Sequence, residues 1–280
     1  MQVIKSTKQL TERMNSLRQS GKRICFVPTM VYLHKGHLSL VHRARRENNI
    51  VVVSIFVNPT QFGRGEDFKR YPRNLSRDRK LLSRERVDYL FVPSQSSVYP
   101  KQFRKFINPG PLARYLCGPK RPGHFRGVAT VVYRLFQIVQ PHAAYFGRKD
   151  YQQARIIENL VQRFHLPIRI KMCPIIREKD GLAMSSRNRY LSKKERISAR
   201  SLYQSLLEAR RLIRSGERNI NKIKKAMRNI LIGRVSKVDY VEVVDLKKLV
   251  PLKQIQGMVL VAVACYLGST RLIDNLLIRR

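Results

Sequence analysis

Acidic side chains are scarce in this chain. Eighteen Asp and Glu stand against 57 Lys and Arg, a formal net charge of +39. Such an excess attracts polyanions such as nucleic acid or anionic lipid. It is not gathered into a tail or one block. It runs through segments that otherwise read as amphipathic helices, such as 76–86 and 193–214. No zinc finger, basic-zipper pattern or aromatic ribonucleoprotein signature accompanies it, so nucleic-acid binding is expected to be nonspecific and to run through phosphates. Long apolar runs are also missing. None approaches the roughly 20 residues of a membrane span. The first twenty residues are polar and charged, so no secretory signal is expected and the expected location is cytoplasmic. Cysteine is sparse. Cys25, Cys117, Cys173 and Cys265 lie far apart and mostly inside apolar runs, which fits buried free thiols in a reducing compartment rather than disulfides. There is no internal repeat and no low-complexity tract. What remains is an ordinary apolar fraction, 43%, in 280 residues, enough to bury a large core in one domain or two.

One stretch organises the rest: residues 24–37, ICFVPTMVYLHKGH. Ile24–Val27 reads as a buried strand, which Pro28 and Thr29 are expected to break. A short loop then leads to His34, Gly36 and His37, and Leu38, Leu40 and Val41 continue as the apolar face of a helix to about Asn48. A strand running into a helix N-terminus holds phosphate well, because free backbone N–H groups and the helix dipole favour an anion. Histidines three apart share one side of the first turn. Each can donate to a phosphate and carry charge that develops during phosphoryl or nucleotidyl transfer. Gly36 between them allows close approach to the backbone. A helix start with incidental histidines is the competing reading. A zinc site fits less well, because zinc needs three or four ligands and no Cys or acid stands at ligand spacing.

In chain order, Ser6–Ser20 reads as a helix ended by Gly21. Ile50–Val57 is a near-continuous β-branched run, as strands buried on both faces are. It ends in the polar loop Asn58–Phe62, at a strand's C-terminal end where open α/β sheets bind ligands. A charged helix with Leu75, Leu81 and Leu82 leads to a strand at Tyr89–Val92. Residues 99–120 read as irregular. Then come a helix at Val128–Val139, a strand at Ala143–Phe146, a helix at Tyr151–Phe164 opened by Gly147–Asp150, and a strand at Ile168–Ile176. This alternation predicts a doubly wound parallel sheet over residues 1–177. After a loop at Glu178–Ser192, helices near 193–215 and 219–232 precede apolar stretches at 238–244, 259–267 and 272–278. That order predicts a smaller α+β C-terminal domain over 178–280.

Several motifs in register over nearly the whole chain resemble one family, the pantothenate synthetases or pantoate–β-alanine ligases. They are Pro28-Thr29-Met30, His34-x-Gly36-His37-Leu38-Ser39-Leu40, Val51–Phe62, Gly65-Glu66-Asp67-Phe68, Arg70-Tyr71-Pro72-Arg73, Arg121–Thr130 (RPGHFRGVAT), Lys149–Gln153 (KDYQQ), Asp180–Asn188 (DGLAMSSRN) and Arg271–Asn275 (RLIDN). Each alone is weak; their shared order carries the resemblance. The family groups with nucleotidyl transferases sharing H-x-G-H. It implies a Rossmann-like domain with a smaller C-terminal lid, usually as a homodimer. It also implies a two-step reaction. Pantoate attacks the α-phosphate of ATP to give pantoyl adenylate and pyrophosphate, and the amine of β-alanine then displaces AMP.

By the same resemblance, His34 and His37 contact ATP, with His37 at the family's proton-donor position. The ATP loop is Met30, Val31, Tyr32, Leu33, His34, Lys35, Gly36 and His37. Lys149, Ser185, Ser186 and Arg187 hold the phosphates, and Arg148 lies beside them. Asp150 contacts the ribose or adenosine, and Gly147, Ile176 and Met184 line that pocket. Gln61 and Gln153 bind the pantoate hydroxyl and carboxylate, Gln61 also lying near β-alanine, and Arg121 and His124 border the pantoate side. Mg²⁺ is expected to arrive with ATP rather than in a closed protein cage.

Some positions depart from the family habit. Val31 stands where Gly is usual, which is costly if that backbone needs positive φ. Lys35 and Arg148 stand where Glu is usual, and 106–115 also departs. The high positive charge is outside the family habit, through drift to Lys and Arg or through redesign of the surface. Two further functions compete with the ligase. One is a catalytically weakened scaffold that binds polyanions such as nucleic acid. The other is a different adenylyl-transferring enzyme, against which Gln61, Gln153 and RPGHFRGVAT argue.

Overall fold

The structure, a computed structural model, describes residues 1–280. The chain forms two compact units. The first comprises Met1–Ala113, Arg121–Arg148 and Gln153–Pro174; the second comprises Arg114–Lys120, Lys149–Gln152 and Ile175–Arg280. Two short segments inside the span expected for the first domain thus group with the second.

The first unit holds six parallel strands: β1 (Gln2–Ile4), β2 (Ile24–Thr29), β3 (Ile50–Ile55), β4 (Tyr89–Phe91), β5 (Ala143–Gly147) and β6 (Arg169–Cys173), in the order β1-β4-β3-β2-β5-β6. Its helices are α1 (Thr7–Gln19), α2 (Lys35–Glu47), α3 (Leu75–Arg84), the single turn α4 (Gln95–Val98) and α6 (His124–Val139), with most of α7 (Tyr151–Arg163). The period of two in β2 explains the layering. Ile24 and Phe26 pack with Leu10 and Met14 of α1 and Phe136 of α6. Cys25 and Val27, on the other face, pack with Leu40, Val41 and Ala44 of α2. Helices therefore cover both faces, as a parallel sheet of apolar strands requires. Strand order reverses between β2 and β5, and the loops after these two strands leave at that switch point, where such sheets bind ligands.

Pro28 and Thr29 do not end β2 as the sequence suggested. Pairing with β5 covers only Cys25 and Phe26, whereas pairing with β3 continues to Thr29. The missing Pro28 N–H thus falls where one side of the strand needs no donor. Helix α6 begins at His124 rather than Val128, because Gly123 takes a left-handed conformation (φ 78°) directly before it.

The second unit contains the turn α5 (Cys117–Lys120), helices α8 (Lys193–Ser198), α9 (Arg200–Arg214) and α10 (Ile220–Leu231), and an antiparallel sheet of β7 (Lys237–Val244), β8 (Met258–Leu267) and β9 (Thr270–Arg279). Leu202, Leu206 and Ile213 of α9 and Ile223 and Met227 of α10 share one core with Val261, Val263 and Cys265 of β8. All four cysteines are buried free thiols. No helix is long and apolar enough to cross a membrane.

Candidate active site

The loop from β2 into α2 carries the paired histidines. His34 caps α2, its Nδ1 accepting the Gly36 N–H at 3.1 Å. His37 reciprocates, its Nδ1 accepting the His34 N–H at 3.3 Å. The ring centroids lie 4.0 Å apart. A nitrogen that accepts carries no proton, so each neutral ring holds its proton on Nε2. Two Nε2–H donors thus sit at a helix N-terminus whose dipole favours an anion.

The loop before them is built from the core side. Val31 and Leu33 are buried in the layer under α2, so a ligand can meet only their backbone. The left-handed residue is Tyr32 (φ 57°), not Val31. Glycine's freedom is therefore not demanded where the family habit suggested. A residue without sequence signal holds this strained turn. Asp78 of α3, fully buried, accepts the Tyr32 N–H at 2.7 Å and the Leu33 N–H at 2.9 Å. Burial pushes its carboxyl up, against those hydrogen bonds and the Arg77 charge. Arg77 donates to the Leu33 carbonyl at 2.8 Å and lies 4.6 Å from the Tyr32 ring centroid. Lys35 is exposed.

Gln61 lies in a 3-10 turn, Pro59–Gln61, after β3. Its Oε1 accepts from Asn58 Nδ2 at 3.1 Å, and its Nε2 donates to Met30 Sδ at 2.9 Å. Asn58 is fixed in turn by the Gly127 carbonyl, Thr60 and the Tyr99 hydroxyl. His124 Nδ1 bonds the Gln61 carbonyl at 2.8 Å, and Arg121 Nη1 lies 2.8 Å from His124 Nε2. Arginine can only donate, so His124 carries its proton on Nδ1 and donates to Gln61. Glu66 takes the rest of the Arg121 fork at 2.7 and 2.6 Å. Burial would raise Glu66, but Arg121 outweighs it and holds the carboxyl below its usual range. Arg121 and His124 therefore support Gln61 through its backbone. Glu66 and Asn58 stood in recognised motifs with no role attached; their spacing to Arg121 and Gly127 left no sequence signal.

Gly147 ends β5, and Arg148, Lys149 and Asp150 form a 3-10 turn into α7, where Gln153 is half-buried in the first turn. Within the second unit, Lys149 Nζ lies 3.7 Å from Asp150 Oδ1, and the Lys149 carbonyl accepts from Asn275 Nδ2 at 2.9 Å. Ile176 and Met184 come together, the Met184 N–H donating to the Ile176 carbonyl at 3.0 Å. Ser185 caps the 3-10 turn Ser186–Tyr190 by accepting the Arg187 N–H. Ser186 is buried and Arg187 half-buried. Asn188 anchors this turn through Glu178 and the Ala183 carbonyl.

A paired-histidine helix start at a Rossmann-like switch point fits nucleotide chemistry, and comparison with known proteins specifies which. The family model described as pantoate-beta-alanine ligase matches residues 2–277. The pantothenate synthetase of Thermotoga neapolitana is 54% identical over 277 residues, covering 98% of this chain and 99% of its own. That of Fervidobacterium nodosum is 52% identical over 278 residues, covering 99% of both. Among solved structures, Thermus thermophilus pantothenate synthetase superposes with a TM-score of 0.93 at 44% identity, covering 99% of both chains. The Francisella tularensis pantoate-beta-alanine ligase, complexed with beta-gamma ATP and beta-alanine, gives 0.83 at 36% identity, covering 99% of this chain and 97% of its own. Nothing among these relatives supports a polyanion-binding scaffold as the primary function. The chain belongs to the pantoate–β-alanine ligase family, the pantothenate synthetases, and is an ATP-dependent ligase that forms an amide bond with release of AMP and pyrophosphate.

Proposed function

We propose that this chain makes pantothenate with the residues described above, and that the carrying observation is the reciprocal cap of His34 and His37. Pantoate attack on the α-phosphate of ATP accumulates negative charge, and the departing pyrophosphate needs donors and cations. The two Nε2–H groups supply donors already fixed in tautomer by the backbone, so no reorganisation is needed as charge develops. His37 is the proton donor. Lys149, Ser185, Ser186 and Arg187 serve the phosphates. Gly147, Ile176 and Met184 serve the adenosine, and Asp150 the ribose or adenosine. Gln61 and Gln153 bind pantoate, Gln61 held by Met30, Asn58 and His124. The β-alanine amine then attacks the acyl carbon of the adenylate, and the bond to the AMP oxygen breaks.

Mg²⁺ travels with the ATP phosphates on this reading. No group of three His, Cys, Asp or Glu side chains is placed to hold a metal, and Mg²⁺ commonly relies on substrate phosphates. A homodimer in the cytoplasm, with nonspecific polyanion binding as a by-product of the +39 charge, completes the reading. The test is AMP release from ATP that requires pantoate, β-alanine and Mg²⁺ together. AMP release independent of either carbon substrate overturns it.

A further inference from the structure

The RLIDN motif has no part in the roles above, yet it holds a buried ion pair. Asp274 is 2% exposed. The Arg177 fork grips it at 2.6 and 2.9 Å. Arg177 also donates to the Gly181 carbonyl at 3.0 Å, and its guanidinium lies 3.9 Å from the Tyr203 ring centroid. Gly181 (φ 91°) permits this layer, since a Cβ there would come within 2.3 Å of the Tyr203 ring. At the other end, Asp274 Oδ1 accepts the Asn275 N–H at 2.7 Å, and Asn275 Nδ2 donates to the Lys149 carbonyl at 2.9 Å. All of these groups belong to the second unit. The ion pair thus ties the Lys149 turn to the hairpin that carries Met184 into Ser185. A bidentate pair fixes angle as well as distance, which a single contact does not. Lysine is a flexible point charge, so its placement depends on the backbone from which it starts.

We propose that Asn275, held by the Asp274–Arg177 pair, is a positioning residue that sets the Lys149 backbone so that its ammonium meets the ATP phosphates in the adenylation step. This rests on the role given to Lys149 above. The second half-reaction no longer contains the β- and γ-phosphates, so it does not need this placement.

The test separates the half-reactions. In Asn275→Ala, pantoate-dependent exchange of labelled pyrophosphate into ATP should fall by about 10²-fold, the scale of an ångström-level misplacement. AMP release from preformed pantoyl adenylate and β-alanine should stay within a few-fold of the starting enzyme. The effect should vanish in a Lys149→Ala background, because a misplaced lysine and an absent one are then equivalent. Equal loss in both half-reactions, or a loss that persists fully without Lys149, overturns the proposal. If Lys149→Ala leaves exchange unchanged, the phosphate role of Lys149 fails instead. Where Asn275→Ala does not fold, Arg177→Lys keeps the charge beside Asp274 but loses the fork, and the same selective loss is expected.

Discussion

A Cβ on Gly127 would lie 2.2 Å from the Thr60 carbonyl oxygen and 2.7 Å from the Gln61 backbone nitrogen. Helix α6 can approach the turn carrying Gln61 only because this helical residue has no side chain. Both contacts are backbone, so neither can swing aside. Gly127→Ala should therefore push the turn away and break the Asn58 bond to the Gly127 carbonyl. The expected result is a rise in KM for pantoate of about tenfold or more and a loss of about 1–3 kcal/mol in stability from overpacking. Steady-state kinetics and thermal unfolding check it. Unchanged pantoate KM would show that the turn relaxes without consequence.

Asp78 offers two lone-pair sets to two adjacent backbone N–H groups, and the strained Tyr32 lies between β2 and the histidines. Asp78→Asn keeps the size but places an amide NH₂ against one of those donors. That leaves a buried N–H without a partner, a cost of about 1–3 kcal/mol. ATP KM should rise more than pantoate KM, because Gln61, though also bonded to Met30, keeps its bonds to Asn58 and His124 on other elements. Val31→Gly, which restores the family habit, should lower stability by about 1–3 kcal/mol through lost burial and added chain entropy. Substrate-resolved KM values and urea midpoints test both.

The layered sheet was legible because β2 and β3 are apolar runs long enough to show their character. β1 was not: three residues, Gln2–Ile4, display no period. His34 and His37 were visible as a pair, but their reciprocal cap was not, since histidine is an uncommon N-cap. Asp78 and Tyr32 stand 46 positions apart, and Arg177 and Asp274 97 apart. Neither pairing follows any local period, so only the folded chain brings them together. Asp78 was further hidden inside a helix that reads as a basic surface.

Glu47 gives a pH prediction. Its carboxyl is hydrogen-bonded first by Arg43 and then by the Tyr145 hydroxyl, and is held down at about 2. The unfolded value is near 4.3, so the folded state binds this proton less tightly. The stabilisation is present above the unfolded value and is lost as pH falls from about 4.3 toward 2. Glu47→Gln should flatten that part of the acid unfolding curve. Because Glu47 is one-third exposed, the effect should shrink in high salt. An acid limb of unaltered steepness would assign the pH dependence elsewhere.

The scarce acids are nearly all occupied. Glu66 serves Arg121, Asp274 serves Arg177, Asp239 serves Arg271, and Glu178 and Asp180 share Arg196. Glu195 and Asp245 cap backbone N–H groups instead. Few carboxylates are therefore left to neutralise exposed bases such as Lys225 and Arg228 on α10. Their charge is available to external phosphates. Two unrelated DNA duplexes should bind with equal affinity, and affinity should fall on the order of a thousandfold between about 50 and 200 mM salt if about six phosphates are neutralised. Lys225→Glu with Arg228→Glu should reduce the salt slope by about two and leave AMP formation unchanged, since neither residue has a place in the ligase chemistry. Fluorescence anisotropy across a salt series measures both slopes. A preference for one duplex would mean that base edges are read, and an unchanged slope would place the polyanion contact away from α10.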